Sequence, residues 1–458
     1  MIRNTKPRSD ESPESETVLH PDQDYASISR EISEIVLRPA SRKWWLGFCL
    51  SGLGVLLFIV AAGYLFSAGI GIWGINTTVV WGFAIINYVW WIGIGNAGTL
   101  ISAMLYLTRQ PWRTSINRFA EAMTIFAASI AGLFPILHLG RPELFYWLAP
   151  YPSTMGVWPQ FRSPLVWDMF AIGTYIIVSV LFWYTGLLPD LATLRDRARS
   201  RVAQLIYGAF ALGWRGSAAH WKHYEKAYVI LAALAVPLVV SVHSVVGYDF
   251  ATALMPGWRS TIFAPYFVVG AMFSGFAMVI VITITLRAAF KLHVFVTLRH
   301  LDAMAKILLA ASLIMGYAYG MEAFMAWYGT DADEWRQTVI TATGPYASAY
   351  WGMLFCNVVV PQLCWSARIR RSIPALLLIA VLVNVGMWLE RYVIVVNILS
   401  QGLMPSQFRL YFPTVWDWAT MLGSFALFLW FFFLFVRFVP MVPMHEVRKL
   451  AHELGERL

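Results

Sequence analysis

The sequence predicts an all-α polytopic membrane protein of about ten transmembrane helices, and three observations predict it. Of the 458 residues, 59% are hydrophobic and only 13% carry charge, with a mean hydropathy of +0.61; soluble domains carry about 25% charged residues. Apolar runs of about eighteen or more residues recur along the chain, each long enough to cross roughly 30 Å of hydrocarbon as a helix. Lys and Arg alternate in abundance from one connection to the next, the mark of a chain threaded through a bilayer. No long polar stretch separates the runs, so the expectation is one membrane domain over 44–439, with polar tails at 1–43 and 440–458.

The first forty residues are polar and of mixed charge. They contain no basic start followed by an apolar core, so no cleavable signal peptide is expected. The tail over 1–35 reads as mostly disordered. A short amphipathic piece near Ile28–Val36 is expected to be solvated rather than docked on a partner. The ten spans then fall at about 44–67, 78–106, 118–139, 166–188, 226–250, 260–289, 302–329, 344–367, 373–400 and 414–439. One set of connections carries Arg109, Arg113 and Arg118; Arg195, Arg197, Arg199, Arg201, Arg215, Lys222 and Lys226; Arg287, Lys291, Arg299 and Lys306; and Arg368, Arg370 and Arg371. The opposite set carries only Arg141, Arg162, Arg259, Arg336 and Arg409. Positive charge marks the cytoplasmic side, so both termini are expected there. Most of the net charge of +9 is therefore topological, which excludes a nucleic-acid surface.

The longest internal connection, 190–225, contains a Leu205–Trp214 stretch suited to an interfacial helix with its arginines toward lipid phosphates. His220 and His223 have no third ligand nearby, so a wet loop is preferred to a metal site. Cys49, Cys356 and Cys364 all lie in apolar runs and form no CxxC pair. Covalent c-type haem and cysteine-ligated iron–sulphur clusters are therefore not expected in this chain. In the second span, Gly93-Ile94-Gly95-Asn96-Ala97-Gly98 matches G-x-G-x-x-G. A dinucleotide fingerprint needs a preceding strand and a turn. Inside a membrane helix, such glycines instead let a neighbouring helix approach closely.

The stretch HLGRPELFYWLAPYPSTMGVWPQFRSPLVWD, 138–168, joins the third and fourth spans. It places His138, Arg141 and Asp168 at the outer boundary. The fifth span adds His243 and Asp249, and Glu322, Glu390 and Arg391 fall in the same outer half. The inner half shows mainly neutral polar groups such as Asn96, Asn357, Gln362 and Asn384. Singly, these ionisable residues read as helix caps or snorkelling side chains. Capping alone would populate both leaflets alike, so the clustering points to chemistry. Adjacent helix positions point about 100° apart, so Glu390 and Arg391 are expected to find partners on other helices. Quinol oxidation fits the cluster: it releases two electrons and two protons, and histidine and carboxylate side chains near water accept protons. Phe145, Tyr146, Trp147, Tyr151, Met155 and Trp158 are suited to line a flat slot or to form an interfacial belt. No span carries two histidines, so a haem between His138 and His243 is not expected, and the electrons need a partner protein.

At these residues the sequence resembles the NrfD/PsrC family of quinone-interacting membrane subunits, and within it the larger such subunit, ActC, of bacterial alternative complex III. The resemblance rests on WWIGIGNAGTLISA at 90–103, the 138–168 stretch, VPLVVSVHSVVGYDFA at 236–251 and NVGMWLERYVIVV at 384–396. It implies two four-helix bundles, at about 78–250 and 260–400, with extra helices at 44–67 and 414–439. It implies menaquinol as substrate, with His138, Asp168 and Asp249 in the quinol site and Arg141, His243, Glu390 and Arg391 in the pocket or the adjoining polar region. It also implies a multi-pass protein of the bacterial inner membrane with four kinds of partner: an iron–sulphur subunit on the periplasmic face, c-type haem subunits, a second NrfD-like subunit and a terminal oxidase. The expected function is thus a membrane subunit of a quinol-oxidising complex. Two rivals stand beside it, a family member that reduces quinone for a terminal reductase and a proton carrier. A proton path should cross the whole membrane, and the inner half shows no evident carboxylate relay.

Overall fold

The structure, a computed structural model, describes residues 18–19, 23–148, 162–402 and 404–455. Among the described residues it is helical and contains no strand. In chain order the α-helices are α1 (Tyr25–Leu37), α2 (Arg42–Ala68), α3 (Phe83–Leu107), α4 (Asn117–Leu139), α5 (Pro164–Arg197), α6 (Arg201–Phe210), α7 (Ala218–Ala251) and α8 (Phe263–Ala289). They continue as α9 (Leu298–Tyr328), α10 (Ala332–Thr343), α11 (Ala347–Leu354), α12 (Ala367–Arg370), α13 (Ile373–Tyr392), α14 (Ile398–Gln401), α15 (Val415–Phe438) and α16 (Met444–Gly455).

Nine helical stretches among the described residues are long and apolar enough to cross a membrane. The expected span at 344–367 is not one of them, because it is composite. After α11 the chain makes a π turn, Phe355–Val359, and then a 3-10 turn, Val360–Trp365. Pro361 explains the break: it lacks an N–H, and its ring clashes with the carbonyl four residues back, on Asn357. The displaced Asn357 carbonyl is recovered by Ser312 Oγ of α9, at 2.7 Å. The composite run still packs along α9 and α13 and leads to the Arg370–Asp302 ion pair, 2.7 Å, at the start of α9.

Helices α5 and α7 have 34 residues each. At 1.5 Å per residue they are about 51 Å long, well beyond the hydrocarbon thickness. They absorb most of the 190–225 connection, and only α6 lies across its tip. The apolar residues Val202, Leu205, Ile206 and Phe210 of α6 are exposed, as suits an interfacial helix.

Helix α3 is buried along nearly its whole length, between α4, α7 and α8. Its glycine motif permits this. A Cβ at Gly98 would lie 2.0 Å from the Ala120 carbonyl oxygen, and one at Gly275 of α8 would lie 1.8 Å from the Ala97 Cβ. Helices α4, α5 and α7 complete the packing around α3, whereas α8, α9, the composite run and α13 pack on one another. Helix α2 leans on α15 with Leu46, Leu50 and Leu53 facing out.

The described segments near each terminus, α1 and α16, pack against the rest of the protein. Ile28, Ile32 and Val36, one stripe of α1 at a spacing of four, are buried against α5, α15 and α16. The expected solvated piece therefore docks on its own chain, started by a capping box between Asp24 and Ser27. Helix α16 is likewise packed, beneath α4 and α5.

Candidate functional site

Two ends of the helix array matter: the end with His138, Asp168 and Asp249, and the arginine-rich end with α1 and α16.

At the His138 end, Pro164 opens α5, where its missing N–H costs nothing, and Asp168 follows one turn later. Asp249 sits in the last turn of α7. Gly247, just before it, lets α7 approach α8 closely: a Cβ there would lie 2.8 Å from the Phe263 carbonyl oxygen. Asp168 and Asp249 thus come to the same end of the helix array, both beside α3. Tyr88 of α3 donates its hydroxyl to Asp168 Oδ2 at 3.2 Å. One oxygen of each carboxyl, Oδ1 in both, is buried with no hydrogen-bond partner among the described residues. Polar atoms left unpaired at this depth cost about 1–3 kcal/mol each. Beside them Phe250 meets Trp81 and Trp258, which stack on each other with ring centres 5.6 Å apart.

The structure brings together two of the residues expected at the site and leaves the others apart. His138, in the last turn of α4, is half-buried; its Nδ1 is enclosed and unpartnered, and it bonds neither carboxyl. Arg141, on the turn after α4, is exposed and makes no ion pair with the described residues. His243 points into the seam of α3, α7 and α8, where Nδ1 meets the Asn96 side-chain amide and Nε2 is buried and unpartnered. Phe145 and Tyr146 are exposed, as in an interfacial belt. Tyr151, Met155 and Trp158 lie outside the described residues.

A second polar centre lies among α8, α9 and α13. Glu390 is fully enclosed and pairs with Arg391 itself. This corrects the expectation that neighbouring positions make poor partners: the long arginine side chain folds back across the 100° offset. Arg391 also sits over the Phe267 ring at 4.5 Å, a cation–π contact. Tyr319 donates to Glu390 Oε2 at 2.5 Å and accepts from Asn357 Nδ2 at 3.0 Å.

The arginine-rich end overturns a further expectation, that the inner half carries mainly neutral groups. Arg118 of α4 pairs with Asp190 of α5 at 3.0 Å, and both are essentially inaccessible. Asp190 also accepts from the backbone N–H of Met444 at 3.3 Å and His445 at 3.2 Å, so it caps the start of α16. Arg113 pairs with Glu446 of α16 at 2.8 Å. Burial alone would lower the pKa of Arg113, but Glu446, with Tyr228 and Glu121, more than offsets this and holds it above its ordinary value. Glu121 accepts from Tyr228 at 3.2 Å, and its Oε2 is buried without a partner. The sequence signal for this cluster was α16 itself, a short amphipathic segment after the last span.

The fold and the site define a polytopic helical membrane protein with buried, partly unpaired carboxyl groups at one end. Residues 73–402 match the family model described as polysulphide reductase, NrfD, and the chain belongs to that family. Over 239 residues it is 28% identical to a putative dimethyl sulfoxide reductase membrane subunit of Halobacterium salinarum, covering 51% of this chain and 50% of the relative. Over 239 residues it is 25% identical to a selenate reductase subunit of Mesobacillus selenatarsenatis, covering 49% of this chain and 54% of the relative. The chain thus spans about half the length of the curated relatives it matches.

Proposed function

We propose that this protein is the membrane subunit of a redox complex and that it binds a quinol between α3, α5 and α7 at the His138 end. Asp168 and Asp249 at one end of the helix array, each with a buried Oδ1 that has no partner among the described residues, carry this reading. A quinol loses two protons and two electrons. Its hydroxyls need acceptors close to water, and the carboxyl pair together with His138 supplies them. The electrons go to an iron–sulphur partner docked on that face. With positive charge marking the cytoplasm, the site faces outward from a bacterial inner membrane, with both termini inside. Glu390 and Arg391, expected beside this site, belong instead to the separate centre among α8, α9 and α13.

Within this reading, two kinds of complex fit. The sequence resemblance favours alternative complex III, in which menaquinol is oxidised and c-type haem subunits, a second NrfD-like subunit and a terminal oxidase take the electrons. The names of the relatives, reductase subunits of two kinds, favour a reductase assembly. A reductase with a water-soluble acceptor consumes electrons, so its membrane subunit also oxidises quinol; the reverse direction, quinone reduction, suits neither assembly. Purifying the intact complex and recording its subunits and optical spectrum separates the two. Haem c in partner chains supports the first, and a molybdenum-containing partner supports the second. The proton-carrier reading gains one point, because Glu121 and Asp190 place carboxylates at the arginine-rich end. Proton uptake by sealed vesicles during turnover tests it.

A further inference from the structure

A cavity of about 770 Å³ opens beside α10, at the end of α9, and reaches down to Glu390. Tyr88, Asp168 and Asp249 do not line it. It lies instead among α8, α9, α11 and α13, with Tyr266, Tyr319, Glu322, Tyr350 and Glu390 as its deep polar groups and aliphatic and Met side chains as its walls.

Three features mark this cavity as a built site. Its volume lies within the roughly 300–1,000 Å³ typical of ligand pockets, and a few convergent polar groups in apolar walls are the usual lining. One π turn among the described residues lines it and another supports a residue that does. Phe355–Val359 delivers Asn357 to Tyr319, and Val393–Asn397 follows directly on Glu390 and Arg391, with Val393 and Ile394 in the cavity wall. Such turns give up helix regularity and recur at functional sites. Here the backbone is held in place, since the Trp258 indole N–H donates to the Ile394 carbonyl at 2.7 Å. Finally, the carboxylate of Glu322 is half-buried and accepts no hydrogen bond from the described residues.

The side chains also repeat, in kind, those of the first site. In each case a tyrosine comes from the start of the first helix of its group, Tyr88 on α3 and Tyr266 on α8. In each case a carboxylate comes from the last helix, Asp249 on α7 and Glu390 on α13.

We propose that this cavity is a second binding site for the same chemical class, a flat ring bearing two hydroxyl or carbonyl oxygens and an apolar tail. Glu322 accepts from a ring hydroxyl, tyrosine hydroxyls bond the ring oxygens, and the aliphatic walls take the ring face. An acyl chain would leave Glu322 unpaired. A lipid phosphate would meet the carboxylates Glu322, Asp331 and Glu334 with only Arg259 opposed to them, and Arg259 already pairs with Asp331 and Glu334 at 3.4 Å. The proposal concerns binding and assigns no redox step to the cavity. It rests on the quinol reading above.

The test is photolabelling of the purified complex in nanodiscs with an azido-naphthoquinone, followed by peptide mapping. Two labelled regions are expected, one around Tyr88, Asp168 and Asp249 and one within 319–326 and 390–398. Glu322→Gln, and Ala326→Trp to fill the mouth, lower the second label at least fivefold and leave the first within twofold. The proposal is overturned by absence of label in the second region, by a second label that neither variant reduces, or by competition from phospholipid but not from menaquinone. Loss of the first label alone counts against the site between α3, α5 and α7, so the two readings fail separately.

Discussion

Replacing Tyr88 by Phe removes one hydroxyl and keeps the ring that packs at the start of α3. The structure sets the size of the effect. The lost bond, Tyr88 to Asp168 Oδ2, is 3.2 Å long, beyond the usual range of about 2.5–3.0 Å for O–H donors. Bonds to charged groups contribute about 1.5–3 kcal/mol, and the long distance selects the lower figure, about 1.5 kcal/mol. At 1.36 kcal/mol per tenfold, that is about a tenfold loss of rate. Tyr88 is a positioning residue here: it fixes the carboxyl that receives the proton, so kcat should fall while KM stays within about threefold. The assay is steady-state oxidation of a short-chain menaquinol analogue by the purified complex, with subunit content checked on a gel. A rate within twofold of the unaltered protein, or a change in KM alone, refutes the reasoning that Tyr88 sets up proton transfer to Asp168.

Other perturbations test other parts of the account. His138→Ala or Asp168→Asn should leave assembly intact and lower quinol turnover at least tenfold in the same assay; unchanged turnover in both removes the site. Asp190→Asn leaves the buried Arg118 without a counter-charge and α16 with one acceptor oxygen in place of two, a loss of about 3–5 kcal/mol for breaking such a pair. Trypsin should then cut at Arg448 and Lys449 at least tenfold faster, while unchanged digestion shows that α16 is held otherwise. Gly98→Leu should abolish accumulation of the assembled complex, because a Cβ already meets the Ala120 carbonyl oxygen at 2.0 Å. Gly132→Ala, with nothing within 4 Å of the new Cβ, should accumulate normally by quantitative immunoblot.

The membrane fold was legible because span length and charge alternation are properties of the chain itself. Asp168 and Asp249 were legible for the same reason, since topology alone sends the start of α5 and the end of α7 to one end. Tyr88 was not, because a tyrosine near a span end looks like any interfacial aromatic. The cluster at the arginine-rich end was hidden by similar ambiguity. Arg113 and Arg118 read as topological charge, and no local pattern sets Glu121 or Asp190 apart. The return of α16 covers Arg113 and Asp190, Tyr228 of α7 meets Glu121, and a contact between residues 113 and 446 leaves no trace in local periodicity. Pro361 did signal the break in the composite span, but a single proline also occurs inside α4, α5 and α7, where the helix continues.

The position of a bound quinol tests the central claim most directly. An electron cryo-microscopy map of the whole complex with a tightly bound quinol analogue should place a ring oxygen about 2.6–3.2 Å from Oδ1 of Asp168 or Asp249, within hydrogen-bond reach. A ring seated elsewhere, with both Oδ1 atoms still unpartnered, would contradict it.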